Sequence, residues 1–172
     1  ASTIPRIDSR VVELDPPDSH HLLAAVGWLE LGNPAESLLE FKRISPANQS
    51  HPDVLEVKWT VHSQLKNWET CIELARELTR VASDRPFGWI HLSYALHELK
   101  RTQEAYDNLI TILKYFPDEW LMDYNLACYA CQLGRPLEAE RWLAEAMSKG
   151  DKKEIQKMAK SDPDLTPLFE GK

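Results

Sequence analysis

The chain has 172 residues, 43% hydrophobic and 27% charged, with 20 Lys and Arg against 27 Asp and Glu for a formal charge of −7. This is the usage of an ordinary single domain and excludes a collagen-like chain or global disorder; no apolar run approaches the roughly 18 residues of a membrane helix, so no membrane insertion is expected. The acidic balance argues against nucleic acid as a partner, which would need a basic face. Three Cys form no disulfide framework and fit a reducing, cytoplasmic setting.

The chain opens Ala1-Ser2-Thr3 rather than with Met, as a processed product or a fragment would, and its first residues lack the cationic start and apolar core of a secretory signal. Pro5, Pro16 and Pro17 leave room for one short helix around Ser9 to Leu14. Ile4, Ile7, Val11, Val12 and Leu14 make this segment too apolar for a solvated tail.

Beyond it, a period of 34 runs through the chain. Leu31, Leu65, Leu99 and Leu133 form one column at that spacing. Ser37, Cys71, Ala105 and Ala139 form a second, in which every residue is small. Phe41, Ala75, Leu109 and Leu143 form a third, and Ile44, Leu78, Ile112 and Ala146 a fourth. Within a row the apolar residues step by three and four, as in Trp89, Leu92, Leu96 and Leu99, and again in Ala105, Leu109 and Ile112. Each row therefore reads as two amphipathic helices.

The punctuation between them agrees. Gly32 and Gly134 stand where a left-handed C-terminal cap wants glycine. Asn33-Pro34 then supplies an N-cap and a proline at the first helical position, and Arg135-Pro136 repeats the pattern with a poorer cap. Lys66 and Lys100 replace the glycine in rows two and three, and a positive φ there costs each about 1 kcal/mol relative to Gly. The small column has a steric cause: helices joined by a tight turn cross closely, so bulk at Ala105 or Ala139 would force them apart.

At the C-terminal end, residues 151–160 (DKKEIQKMAK) suit a charged helix with Ile155 and Met158 on its one apolar face. The following SDPDLTPLFEGK carries two prolines and is expected to leave the helical state.

These residues carry a family resemblance. Trp89-x2-Leu92-Ser93-x2-Leu96, then Ala105-x3-Leu109, then Pro117 resembles the tetratricopeptide (TPR) signature. Row four repeats it with Leu126-Ala127 and Ala139-x3-Leu143; row one has Trp28 and Ser37-x3-Phe41, with its proline displaced to Pro46; row two departs, with Lys58-Trp59 where a Leu and a small residue belong. The ending SDPDLTPLF is similar to the tails of many bacterial TPR proteins. The resemblance implies an all-α, right-handed superhelical solenoid of helix-turn-helix repeats closed by a C-terminal capping helix. It divides the chain into an N-terminal segment (1–17), a four-unit array (18–153, units near 18–51, 52–85, 86–119 and 120–153) and a C-terminal helix and tail (154–172).

A unit that cannot bury its own apolar face stacks on its neighbours and leaves a concave surface for partners. In the family the first helix of each unit lines that surface. Carried over, the lining positions include Leu22, Val26, Leu29, Asp53, Glu56, Phe87, Ile90, Tyr94, His97, Leu121, Tyr124 and Cys128, with Glu30, Glu98, Cys131 and Gln132 beside them and no Lys or Arg. Leu22 and Val26 replace the Lys and Asn with which chaperone-binding TPR proteins clamp a C-terminal carboxylate. The implied function is an adaptor, assembly factor or chaperone that takes an apolar, neutral-to-basic peptide segment. Two alternatives stand beside it: a self-associating scaffold whose groove is filled by residues 1–17 or by a second copy as a homodimer, and a secretion-type chaperone.

An enzyme is the weakest reading, and no cofactor or metal is expected. Cys128 and Cys131 form a CxxC, but inside a predicted helix rather than a βαβ setting, and with His97 would make only three ligands. Two small apolar residues account for them more simply. His62 reads as a packed core histidine, and no phosphate loop, nucleophile elbow or HExxH is present. Trp89 and Trp28 match core positions of the signature, Trp68 opens the second helix of row two, Trp59 forces that row to pack irregularly, and Trp120 and Trp142 are not placed by the pattern.

Overall fold

A computed structural model describes residues 13–170. Most of the predicted short helix around Ser9 to Leu14 lies outside them, as do Ile4, Ile7, Val11 and Val12; Glu13 and Leu14 are not helical. The described residues form nine α-helices and no strand. They are α1 Asp18–Glu30, α2 Pro34–Phe41, α3 Pro52–Gln64, α4 Trp68–Val81, α5 Pro86–Glu98, α6 Thr102–Ile112, α7 Trp120–Gln132, α8 Pro136–Lys149 and α9 Lys152–Ser161. Short 3-10 helices occupy Pro46–Asn48, Leu113–Tyr115 and Pro163–Leu168. The chain forms two compact units, residues 1–95 and 96–172, and the boundary falls within α5.

The odd-numbered helices α1 to α7 begin at Asp18, Pro52, Pro86 and Trp120, in step with the sequence period. Each of the four ends in the same left-handed cap. Gly32, Lys66, Lys100 and Gly134 have φ of 71°, 56°, 63° and 75°. In every case the N–H of that residue reaches back three positions and the N–H of the next reaches back five, as in Lys66 to Ser63 (3.0 Å) and Asn67 to His62 (2.9 Å). This double closure satisfies carbonyls that a helix end otherwise leaves open. The two lysines adopt the conformation although a Cβ disfavours it, because the paired hydrogen bonds fix the turn. Lys66→Gly and Lys100→Gly are each expected to raise stability by about 1 kcal/mol, read from urea midpoints, whereas Gly32→Ala should lower it.

In the first unit, Ala25, Phe41, Ile44, Val54 and Val61 form a buried cluster, with Leu14, Leu22, Leu29, Leu38 and Val57 packed on it. All four members of the small column are wholly buried. Where the residue carries a donor, the donor is used: Ser37 Oγ donates to the Ala25 carbonyl (2.7 Å) and Cys71 Sγ to the Trp59 carbonyl (3.7 Å). Ala25 and Trp59 are themselves 34 apart, so the same crossing recurs one period on. Asp18, at the first turn of α1, ties the end of row one back to its start, accepting from the Ser45 N–H (2.9 Å), Ser45 Oγ and Asn48 Nδ2 (2.7 Å). These hydrogen bonds hold its carboxyl below the usual carboxylate range. At Gly88 an added Cβ would lie 2.9 Å from the Leu78 Cβ and 3.0 Å from the Thr79 N, so this site of α5 accepts only glycine without a shift of α4.

The second unit packs α7 against α8 and closes with α9 and the 3-10 helix. Asp151 caps α9 by accepting from the Glu154 N–H (3.0 Å). The buried face of α9 is Ile155 and Ala159, four apart, while Met158 stays 37% exposed, so the expected Ile155–Met158 face is displaced by one position. The tail also departs from expectation, forming a 3-10 helix over Pro163–Leu168. Pro163 takes a first-turn place where its missing N–H costs nothing, and Asp162 caps the turn through the Asp164 N–H (3.0 Å).

The Leu column stays outside the buried core. Leu31 is 76% exposed and Leu65 39%, because each sits at the helix end itself, one residue before the left-handed turn.

Candidate functional site

On the first unit the carried-over positions meet in two groups. Trp59, in place of a small residue, is buried and meets the α5 aromatics edge-on: Phe87 at 6.1 Å, His91 at 4.4 Å and Tyr94 at 6.2 Å between ring centroids. Phe87 and His91, one turn apart on α5, stack at 3.7 Å and 12°. Tyr94 also touches Trp68 (5.8 Å), yet stays 40% exposed. Burial pulls the His91 imidazole down to about 4, so it stacks as a neutral ring at pH 7. The irregular row two is therefore an aromatic cluster built around one oversized side chain, with Tyr94 as its exposed edge.

The second group is ionic. Arg85, in the loop before α5, donates through Nη1 to Asp53 (2.8 Å) and reaches Glu56 (3.4 Å). The Asp53 bond raises the Arg85 guanidinium, and burial raises the Glu56 carboxyl above its ordinary value against the pull of Arg85. Two acids share one base, leaving this patch one charge negative when all three are ionised; the Asp53 side chain is 45% exposed. Arg85 carried no local signal: it stands 32 residues from Asp53, in a loop outside the repeat's lining positions.

The remaining positions of this unit are less available. Leu22 and Leu29 pack partly on the core cluster, as does Leu14 from the N-terminal segment; Val26 is half-buried and Ile90 buried.

On the second unit the carried-over residues engage the chain's own tail. Tyr124 Oη donates to Asp162 Oδ2 (2.8 Å), and Cys128 Sγ lies 3.7 Å from the same oxygen. His97 Nε2 contacts Asp164 Oδ2 (2.8 Å), with Nδ1 on Thr102 Oγ1 (2.9 Å), and Gln132 Nε2 donates to the Asp164 carbonyl (2.9 Å). Leu165 and Leu168 of the tail are buried; Leu121 is half-buried. The acceptors Asp162 and Asp164 could not be read from spacing, since they pair with residues 32 to 67 positions earlier.

This geometry also bears on the CxxC. Burial, and then the neighbouring Asp162 and Asp164, push the Cys128 thiol well above its ordinary value, and burial does the same for Cys131. A nucleophilic or metal-binding thiolate needs the opposite, a positive neighbour and a depressed value. Among the described residues no group of three or more His, Cys, Asp or Glu is placed to hold a metal ion. No helix among them is long and apolar enough to cross a membrane.

Trp120 finds its place in this unit as well. It opens α7 and, with Ile155 and Met158 of α9, lines an open groove of about 450 Å3 edged by Asp151, Glu154, Lys157 and Ser161.

No family model and no curated protein matches the chain. Solved structures do. TTC0263, a thermophilic TPR protein of Thermus thermophilus, is similar at a TM-score of 0.72 and 20% identity, over 88% of this chain and 81% of its own. A structure of MamA is similar at 0.69 and 11% identity, over 80% of each chain. MamA of MSR-1 is similar at 0.65 and 17% identity, over 81% and 82%. At these identities the likeness is one of fold: the described helix pairs have the all-α TPR solenoid fold.

Proposed function

We propose that this TPR-fold chain is a protein–protein interaction module, acting as an adaptor, assembly factor or chaperone, and that its first unit takes an apolar peptide segment with neutral-to-basic flanks. The exposed Tyr94 edge of the Trp59–Phe87–His91 cluster carries the reading. An aromatic face with a polar tip supplies large contact area at little entropic cost, which is why tyrosine is favoured at binding surfaces. In the same unit Asp53 and Glu56 outnumber Arg85, so a basic flank on the ligand completes the charge balance and an acidic one is repelled.

Two short amphipathic probe peptides with the same Leu/Phe pattern, one flanked by Lys and one by Glu, test this by fluorescence anisotropy. The Lys-flanked peptide should bind tighter, and Tyr94→Ala and Asp53→Asn should each weaken it by about tenfold, a loss of about 1.4 kcal/mol. A preference for the Glu-flanked peptide, or binding indifferent to Tyr94→Ala, refutes the assignment.

A further inference from the structure

Residues 162–168 follow α9 and lie on α7 of their own unit in the manner of a bound peptide. The polar contacts run one way. The donor-bearing side chains belong to the helices: His97 at the end of α5, and Tyr124, Cys128 and Gln132 at successive intervals of four on one face of α7. The acceptors belong to the segment: the carboxylates of Asp162 and Asp164, and the Asp164 carbonyl. Leu165 and Leu168 add two buried apolar anchors, at three and six positions after Asp162. The segment's backbone bonds are local, Leu165 N–H on the Asp162 carbonyl (3.1 Å) and Phe169 N–H on the Thr166 carbonyl (2.9 Å), apart from the Asp164 carbonyl that Gln132 reaches. None of its backbone groups closes the helical ladder of α7 or α8.

We propose that this face of the second unit is a receptor site for an acidic, leucine-bearing peptide segment of the form Asp-x-Asp-Leu-x-x-Leu, and that residues 162–168 occupy it as an exchangeable intramolecular ligand. The chemistry of the donors sets the specificity. Tyr124 and Cys128 are held protonated by burial and by Asp162 itself, so they can only donate to an incoming carboxylate at the first position. His97 presents Nε2 to a carboxylate two positions on, and Gln132 reads the backbone carbonyl of that same residue, just before the first anchor. A tethered segment acts at an effective concentration of about millimolar, so a free competitor is masked until the tether is weakened. The inference concerns the second unit alone and stands independently of the reading of the first.

The test uses full-length protein and a fluorescein-labelled synthetic peptide of residues 160–170. Wild type should bind it weakly. The double variant Asp162→Asn/Asp164→Asn, whose own segment has lost its carboxylates, should bind it at least about tenfold tighter. Adding His97→Gln should remove that gain, and a peptide with both Asp replaced by Asn should bind neither protein. A double variant that keeps its helical circular dichroism and binds no better than wild type overturns the proposal. Hydrogen exchange on unmodified protein gives an independent reading. The amides of Leu165 and Phe169 should exchange through local opening while α7 stays protected; equal protection of the two also overturns it.

Discussion

Lys149→Met is expected to destabilise the protein by about 3–5 kcal/mol at neutral pH, the range for removing one partner of a buried ion pair. Asp123 on α7 is wholly buried, and its Oδ2 accepts from Lys149 Nζ at 2.6 Å while Oδ1 has no partner. Lys149 reaches in from the end of α8 with its side chain 23% exposed, whereas the Asp123 side chain has no exposure. Removing the ammonium strands a charge that nothing else compensates. The pH dependence has a definite sign. Burial already raises the Asp123 carboxyl above its unfolded value of 3.8, with Lys149 opposing, so the variant's carboxyl rises further. A raised carboxyl favours the folded state fully below its unfolded value and loses that contribution as pH climbs through the folded one. The penalty of Lys149→Met should therefore be largest at neutral pH and shrink as pH falls toward the unfolded value of 3.8 and Asp123 takes up a proton. Urea unfolding at neutral and at acid pH measures it, and a penalty that does not vary with pH would show that Asp123 is not the stranded group. Asp123→Asn added to Lys149→Met should recover part of the loss at neutral pH.

Ala139→Leu should cost about 1–3 kcal/mol by overpacking, whereas Leu31→Ser should stay within about 0.5 kcal/mol of wild type. Ala139 is wholly buried in α8, which packs along α7, and Ala127 of α7 is wholly buried too. A leucine there must push the pair apart or take a strained rotamer. Leu31 is 76% exposed at a helix end, so its side chain makes little contact to lose. The contrast reverses what residue type alone suggests, an alanine being worth more than a leucine. Thermal or urea denaturation of the two variants in parallel decides it; equal costs would mean that the column positions do not define the crossing.

Both columns were visible as a period of 34, but only one is core. A small residue is informative by itself, since few causes other than a close crossing would keep Ser37, Cys71, Ala105 and Ala139 all short. A leucine is not, because apolar side chains are found exposed as readily as polar surface runs out. Trp59 shows the same limit. The pattern marked it as an intruder, and the structure turned the intrusion into the centre of an aromatic cluster.

What the sequence by itself determined is local. The helix starts, the left-handed turns at Gly32, Lys66, Lys100 and Gly134, the cap at Asn33 and the small column all follow from interactions within a few residues, or from a repeat that copies them. Backbone sterics and 3.6-residue periodicity act at that range, so they leave a mark in the letters. The tertiary structure alone decided the partnerships: Arg85 on Asp53 and Glu56, Lys149 on Asp123, and Asp162 and Asp164 on Tyr124, Cys128 and His97. Each joins residues 26 to 67 apart, and a charged or polar side chain carries no sign of which distant group it will meet. The positions carried over from the repeat described an open lining without Lys or Arg. Folding placed a guanidinium on Asp53 and Glu56 in the first unit, and the chain's own acidic tail on Tyr124, Cys128 and His97 in the second, because desolvated carboxylates and donors are stable only when paired.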